Sequence, residues 1–423
     1  MRILHITQRY WPALGGAENY IKEVSTRLAA DGHQVTLVTT NVLDLETFWN
    51  PKRRRVDVAE ETQQGVHILR FPLRYFPLPG LAYPASRRLL WVLSHIKPAP
   101  AALLRELSYY APWTPALWRW LNTTTEPFDL VACTNVVFEG FIAAGLRLAR
   151  RRNIPMVTFP FTHLGSGARP ASDPPSRFYT MRHQVRLVHD CDAVVAQTPT
   201  EKKFYEEQGI ASDRIRIIGP GTNPDQILGG DGARFRQRHQ LTGPIVAFLS
   251  AMAYDKGAVT TVEAVRQLWR QGRQIYLVLA GAIMTPFHAY LDQLPPEDRK
   301  RLLVLGPVSD EEKRDLLAAC DLFAMPSRVD SFGIVYLEAW LYGKPVIGAQ
   351  TWGVNDVITQ GEDGLLVPFG EASALATAIT TLLDDPALAK RMGECGRQKV
   401  YAQHTWDQKY AQLRDLYQHL VTS

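Results

Sequence analysis

The chain opens with a strand, a glycine loop, a helix and a second strand in immediate succession. "RILHIT" at 2–7 is a short apolar run, and "PALGGAE" at 12–18 carries the glycines. "NYIKEVSTRLAADGH" then spaces Ile21, Val24 and Leu28 at helical intervals, and "QVTLVTT" follows. Gly32 stands where a helix C-cap belongs. Parallel strands need a crossover of this kind, so the opening commits the chain to an α/β fold. Later apolar runs, "VHILRF", "LVACT", "MVTFPF", "AVVAQT" and "IRIIG", are separated by helical patterns. They predict a parallel sheet covered on both faces.

From residue 245 the alternation restarts: "IVAFLS", "IYLVLAG", "LLVLG", "LFAMPS", "PVIGA" and "GLLVP" are strands with helices between them. The expected fold class is therefore α/β, two Rossmann-like, doubly wound parallel-sheet domains. The Gly-, Pro- and Asn-rich stretch at 218–232 is the expected linker. An N-terminal domain over 1–218 and a C-terminal domain over 219–404 follow, with an amphipathic last helix over 405–423 expected to pack back on the first. A length of 423 residues, 46% hydrophobic and 21% charged, suits two such cores.

A net charge of +5 accommodates phosphates or an anionic membrane surface without requiring either, and no nucleic-acid-binding module is recognisable. Cys133, Cys191, Cys320 and Cys395 are scattered, with no spacing for zinc or a disulfide framework, which suits a reducing compartment. The first residues lack the long apolar core of a signal peptide, and no stretch approaches the ~20 apolar residues of a spanning helix. A cytoplasmic protein is expected, one that can still touch the inner face of a membrane. The segment 71–121 breaks the alternation, being crowded with Pro, Tyr, Trp and Arg and nearly free of acids. It reads either as a helical insertion burying Leu90, Trp91 and Leu93 or as a basic, aromatic surface at headgroup level or around an acceptor.

Several loops between strand and helix could carry chemistry. In "SRVDSFGIVYLEAW" at 327–340, a helix start would point the amides of Phe332, Gly333 and Ile334 at an anion. Glu338 shares an apolar stripe with Ile334 and Leu341, so it needs donors, which a ribose diol or a core Lys or Arg would supply. Asp330 and Ser331 have the alternative role of helix caps. Lys256 in "YDKG" could bring a point charge to a diphosphate, or be solvated. Val308 could flank a base, while Ser309 beside it suits a cap. Gly15 and Gly16 give the first loop freedom to place amides against an anion, without the Gly-x-Gly-x-x-Gly or P-loop pattern. His163 falls just past a strand end, where open α/β sheets bind ligands.

Together these elements resemble the retaining nucleotide-sugar glycosyltransferases of family 4, with the GT-B fold, over almost the whole chain. "DSFGIVYLE", followed by "YGKPVIG" and "GEDGLLVP", looks like that family's Glu-x7-Glu block, and the "GGAE" and "YDKG" loops strengthen the likeness. The resemblance implies two domains facing a central cleft. It implies Glu338 on the nucleotide ribose, the amides of Phe332, Gly333 and Ile334 on the diphosphate and donor sugar, and Asp330 on a sugar hydroxyl near the reacting carbon. Lys256 would bind the diphosphate, and His163 would lie at the anomeric side.

Two positions depart from the pattern. Asp330 stands where Glu is usual, and Ala251 where the family commonly has Arg, so Arg328 or the helix N-terminus is expected to meet diphosphate charge instead. The expected reaction moves a hexose from a nucleoside-diphosphate sugar, UDP-sugar being the commonest, to a hydroxyl of a lipid, glycan or small metabolite. Attack is expected on the leaving group's own face, with no cofactor and no metal. The alternatives are an epimerase or phosphorylase of the same fold, or a weakly active or non-catalytic homologue, which Ala251 keeps open.

Overall fold

The structure is a computed structural model that describes residues 1–13, 15–96 and 100–422. Leu14 of the expected glycine loop, residues 97–99 of the segment 71–121 and Ser423, the end of the expected last helix, lie outside the described residues. The chain divides into two compact units. The first holds Met1–Thr162, Asp173–Gly219 and Tyr410–Ser423, and the second holds His163–Ser172 and Pro220–Lys409.

The first unit is built on an eight-stranded sheet. Its strands are β1 (Arg2–Ile6), β2 (Gln34–Thr40), β3 (Glu60–Gln63), β4 (Val66–Phe71), β5 (Leu130–Thr134), β6 (Met156–Phe159), β7 (Ala193–Ala196) and β8 (Ile215–Ile217). Their order is β3-β4-β2-β1-β5-β6-β7-β8. Every apolar run predicted as a strand here is one, and seven of the eight strands pair in parallel. The exception corrects the all-parallel expectation: β3 runs antiparallel to β4 with Glu60 opposite Leu69. Its sequence "EETQ" has no apolar face because it closes an exposed edge, where charge discourages further pairing.

The helix Gly16–Ala30 crosses from β1 to β2, burying Ile21, Val24 and Leu28, and Gly32 follows it at φ 81°. The segment 71–121 folds into helices Pro79–His95, Ala101–Ser108 and Pro115–Thr123. Leu90 and Leu104 form a small cluster with Ala111 and Met181, against which Trp91 and Leu93 pack. Arg87 is buried within the same segment and donates to the fully buried carboxylate of Glu139 at 2.7 Å, with His183 Nε2 3.1 Å from the same oxygen. The last helix, Trp406–Thr422, brings Tyr417 Oη to 3.2 Å from His5 Nε2 and Tyr410 Oη to 2.6 Å from Asp31.

The second unit is built on six parallel strands, β9 (Ile245–Leu249), β10 (Tyr276–Ala280), β11 (Leu302–Gly306), β12 (Leu322–Met325), β13 (Val346–Ala349) and β14 (Gly364–Val367), in the order β11-β10-β9-β12-β13-β14. Reversal of direction about β9 makes β9 and β12 the central neighbours, and loops at their carboxyl ends carry the candidate site. Val246, Phe248, Leu277, Leu279, Phe323 and Trp340 centre one apolar core. The expected linker is not bare loop: it contains the short helix Pro224–Ile227, and Thr222 pairs with the chain at 404–406 through Thr222 N–H to His404 O and Trp406 N–H to Thr222 O. Among the described residues no helix is long and apolar enough to cross a membrane.

Candidate active site

The segment quoted above opens where β12 ends. Gly333 caps the helix Ile334–Leu341 from the left-handed region, at φ 89°, and a Cβ there would lie 2.4 Å from the Tyr336 ring. Only glycine fits, because both the dihedral and the space exclude a side chain. Neither Asp330 nor Ser331 caps the helix by a side-chain hydrogen bond. The helix is anchored at both ends. Tyr336 donates to the Met325 carbonyl at 2.6 Å, and Trp340 donates to the Asp363 carbonyl at 2.8 Å while lying against Gly396. Its first N–H groups have no acceptor within the helix, and the aligned peptide dipoles favour an anion before them. Phe332, buried just ahead of this N-terminus, meets His404 edge to face at 5.5 Å.

Lys256 ends the single turn Tyr254–Lys256 after β9. Gly257 follows at φ 81°, and a Cβ there would lie 2.4 Å from the Pro326 carbonyl oxygen, so the lysine loop and the end of β12 can touch only through glycine. That closeness turns the lysine inward: its Nζ donates to Asp330 Oδ2 at 2.9 Å and to the Val329 carbonyl at 2.8 Å. Lys256 is thus a largely buried, engaged cation. Its charge reaches His163 as well. Burial, helped by the Lys256 cation and opposed by the Asp330 carboxylate, pushes the His163 pKa down to about 4. His163, Lys256 and Asp330, separated widely in sequence, therefore share one locality.

His163 reaches this place because His163–Ser172 is grouped with the second unit, although the strand before it, β6, belongs to the first. Trp352 holds that segment at two points, its backbone N–H on the Gly165 carbonyl at 3.1 Å and its indole N–H on the Gly167 carbonyl at 2.9 Å. The next residue, Gly353, packs against the backbone of the loop that carries Asp330, since a Cβ there would sit 2.6 Å from the Asp330 carbonyl oxygen. Trp352 was not singled out by sequence, and its signal, a lone Trp in a loop, has no periodicity to stand out from.

Glu338 is 8% exposed and accepts from Lys313 Nζ at 3.0 Å. The core-lysine partner considered from sequence is therefore real. A buried carboxylate needs hydrogen-bond donors around it, and Lys313 supplies one. Val308 packs partly buried against the core at the loop after β11, and Ser309 beside it caps the next helix, accepting from Glu312 N–H at 3.1 Å. Arg328 is not an idle cation: its Nε donates to Asp255 at 2.8 Å, and its guanidinium lies 4.9 Å from the Phe369 ring centre and 5.5 Å from that of Tyr254.

In the first unit Gly15 precedes the helix Gly16–Ala30 in extended backbone. A Cβ on Gly15 would strike the Glu18 carboxylate at 2.1 Å, so the loop closes over a side chain. Glu18 is buried and receives Arg9 Nε at 2.9 Å, a pair absent from the sequence reading although Glu18 belongs to its "GGAE" motif.

The profile described as "Glycosyl transferases group 1" matches residues 231–399, and that described as "Glycosyl transferase 4-like domain" matches 15–221. The chain belongs to the group 1 glycosyltransferases. It is 30% identical over 269 residues to a D-inositol 3-phosphate glycosyltransferase of Corynebacterium glutamicum, covering 60% of this chain and 64% of that one. It is 25% identical to a glycogen synthase of Mycobacterium tuberculosis, covering 96% of this chain and 92% of that protein. The chain thus spans just under two thirds of the length of the corynebacterial relative. Among solved structures, sucrose-phosphate synthase from Thermosynechococcus elongatus superposes with a TM-score of 0.73 at 21% identity over the whole of both chains. Anabaena HepE in complex with UDP-glucose gives 0.69 at 18%, covering 99% of this chain and all of that one. The two parallel-sheet α/β domains of this group 1 member are those of the GT-B fold.

Proposed function

We propose that this protein transfers a hexose from a nucleoside-diphosphate sugar, a UDP-sugar foremost, to a hydroxyl of a lipid, glycan or small-molecule acceptor, with retention of configuration. The observation that carries the reading is the gathering of His163, Lys256 and Asp330 beside the N-terminus of the helix Ile334–Leu341. A nucleoside diphosphate laid along this locality would meet the helix amides and Lys256 with its phosphates and Glu338 with its ribose. Lys256 would exchange part of its bond to Asp330 for the phosphate, freeing that carboxylate to accept from a sugar hydroxyl. HepE, a fold relative, is known in complex with UDP and with UDP-glucose, which supports this class of donor.

In the reaction proposed, the bond from the anomeric carbon to the diphosphate oxygen breaks as the acceptor oxygen bonds to the same face of that carbon. The acceptor's proton passes to the departing phosphate oxygen. Negative charge grows on the diphosphate, and preorganised donors stabilise it there without reorganising. His163, held neutral at pH 7 by its low pKa, would donate or accept at a sugar hydroxyl without competing as a cation for the phosphates. No metal enters this scheme, and activity undiminished by a chelator is the expectation attached to it. The four cysteines are unpaired, which supports a reducing, cytoplasmic setting.

The deciding assay incubates the protein with UDP-, GDP- and ADP-sugars and measures nucleoside diphosphate release with and without acceptors. Acceptor-dependent release with no epimer formed supports the transferase. Epimer formation, or binding of no nucleotide at all, overturns it.

A further inference from the structure

The helix Pro79–His95 is apolar on two sides, burying Leu90 inward beside the Arg87–Glu139 pair and leaving leucines in solvent outward. Its inward side buries Arg87 on Glu139, whereas Leu81, Leu89 and Val92, with Ile96 just beyond the helix end, face out. These four recur at spacings of eight, three and four, which places them on one helical stripe. Leu81 is 71% exposed, Leu89 54% and Ile96 46%. Leu78, directly before the helix, is 73% exposed. Burying an arginine while exposing leucines is costly in water, and a contiguous apolar patch of this kind marks a surface that meets something else.

The surroundings say what. Arg88 is exposed on the same stripe, and Arg182 donates to the Ile96 carbonyl at 3.2 Å from the helix Arg182–His189. Arg177 is exposed on the turn Ser176–Phe178, which packs against the Pro79–His95 helix. Within 71–121 six Lys and Arg stand against one acid, Glu106. A second copy of this chain would set these arginines against their own equivalents, whereas an apolar stripe among cations matches acyl chains beneath anionic headgroups. The tryptophans expected from sequence to form such a surface do not carry it: Trp118 is buried, and Trp91, Trp113 and Trp120 are largely covered.

We propose that the outward face of Pro79–His95 docks on an anionic lipid bilayer, Leu81, Leu89, Val92 and Ile96 entering the interface while Arg88, Arg177 and Arg182 hold the headgroups. The inference stands apart from any donor or reaction.

The full chain is floated with vesicles of phosphatidylcholine alone and with 30% phosphatidylglycerol, at low and high salt. Wild type floats with the anionic vesicles at low salt, at least tenfold more than with the neutral ones, and less at high salt. The variant Leu81→Ser/Leu89→Ser/Val92→Ser loses at least tenfold of that binding. Because its three positions face solvent, unchanged thermal melting checks its fold. As a second measurement, a bimane label on Val92→Cys in a Cys395→Ser background shifts to the blue on adding anionic vesicles. No flotation at low salt, equal flotation of the triple variant, or no label shift overturns the proposal. So does a dimer in sedimentation velocity that the triple variant abolishes.

Discussion

Lys256 and Asp330 form a 2.9 Å ion pair that joins the loop after β9 to the loop after β12. Both partners are about four-fifths buried, so each is a charge whose removal leaves the other poorly solvated. In the proposed reaction this pair is the resting state of two ligand-binding groups. Lys256→Met should weaken nucleoside diphosphate binding by about 1–3 kcal/mol, the range of a charge-assisted hydrogen bond. Asp330→Asn should leave diphosphate affinity equal or tighter and cut sugar transfer. Calorimetry with UDP beside turnover separates the two, and equal losses of affinity in both variants would count against this assignment.

Glu338 and Lys313 make a different test, because their bond exists without ligand. Glu338→Ala should lose about 1–3 kcal/mol of nucleotide affinity if the carboxylate also holds the ribose. Lys313→Met should chiefly lower stability, since it strips a donor from a buried carboxylate. A Glu338→Ala protein with wild-type affinity and a lowered melting temperature would show the carboxylate to be structural.

His163 predicts a kinetic split. His163→Ala should slow transfer at least tenfold while changing UDP affinity less than threefold, since a neutral imidazole contributes little to phosphate binding. Single-turnover rates beside binding constants provide the check, and a wild-type rate removes His163 from the site.

Trp352 predicts an effect visible without any substrate. Trp352→Phe deletes the indole bond to Gly167 while keeping a ring, a loss of about 1 kcal/mol, or roughly fivefold in the open population of the segment. Amide hydrogen exchange across 163–172 should then be about fivefold faster, and unchanged exchange there would show that Trp352 does not hold the segment.

His5 sets the direction of the acid response. It is fully buried between Ser25 and Tyr417, and burial pushes its pKa down to about 3. Unfolded, it titrates near 6.5, so between these values the unfolded chain binds a proton that the folded one refuses. Stability is complete above pH 6.5 and declines as pH falls, by roughly 2–3 kcal/mol at pH 4.5 from this group alone. Denaturant titrations should show a shallower pH dependence in His5→Gln than in wild type, and identical slopes would refute the assignment.

What the sequence revealed and what it hid follow from how strands are buried. Strands such as β5 and β9 read clearly because both faces are covered, leaving an unbroken apolar run. β3 did not, because an exposed edge strand is polar by need. Gly333 and the Ser309 cap were legible as local requirements of one turn. The bond from Lys313 to Glu338 was foreseen in kind but not in partner, since the two lie 25 positions apart in the chain. The nearness of His163 to Lys256 depends on a ten-residue segment grouped with the other unit, and no local periodicity encodes that grouping.

That grouping bears on how the protein can be recombined. The first unit is interrupted at 163–172 and completed by 410–423, and the second takes those ten residues from inside the first. A chimera joined only near residue 219 would exchange the β9–β14 sheet yet keep a foreign His163 segment under Trp352, and would set a foreign last helix against His5. Functional hybrids between relatives should therefore need three exchanged pieces rather than two halves, with the 163–172 segment travelling alongside Trp352 and the last helix alongside β1.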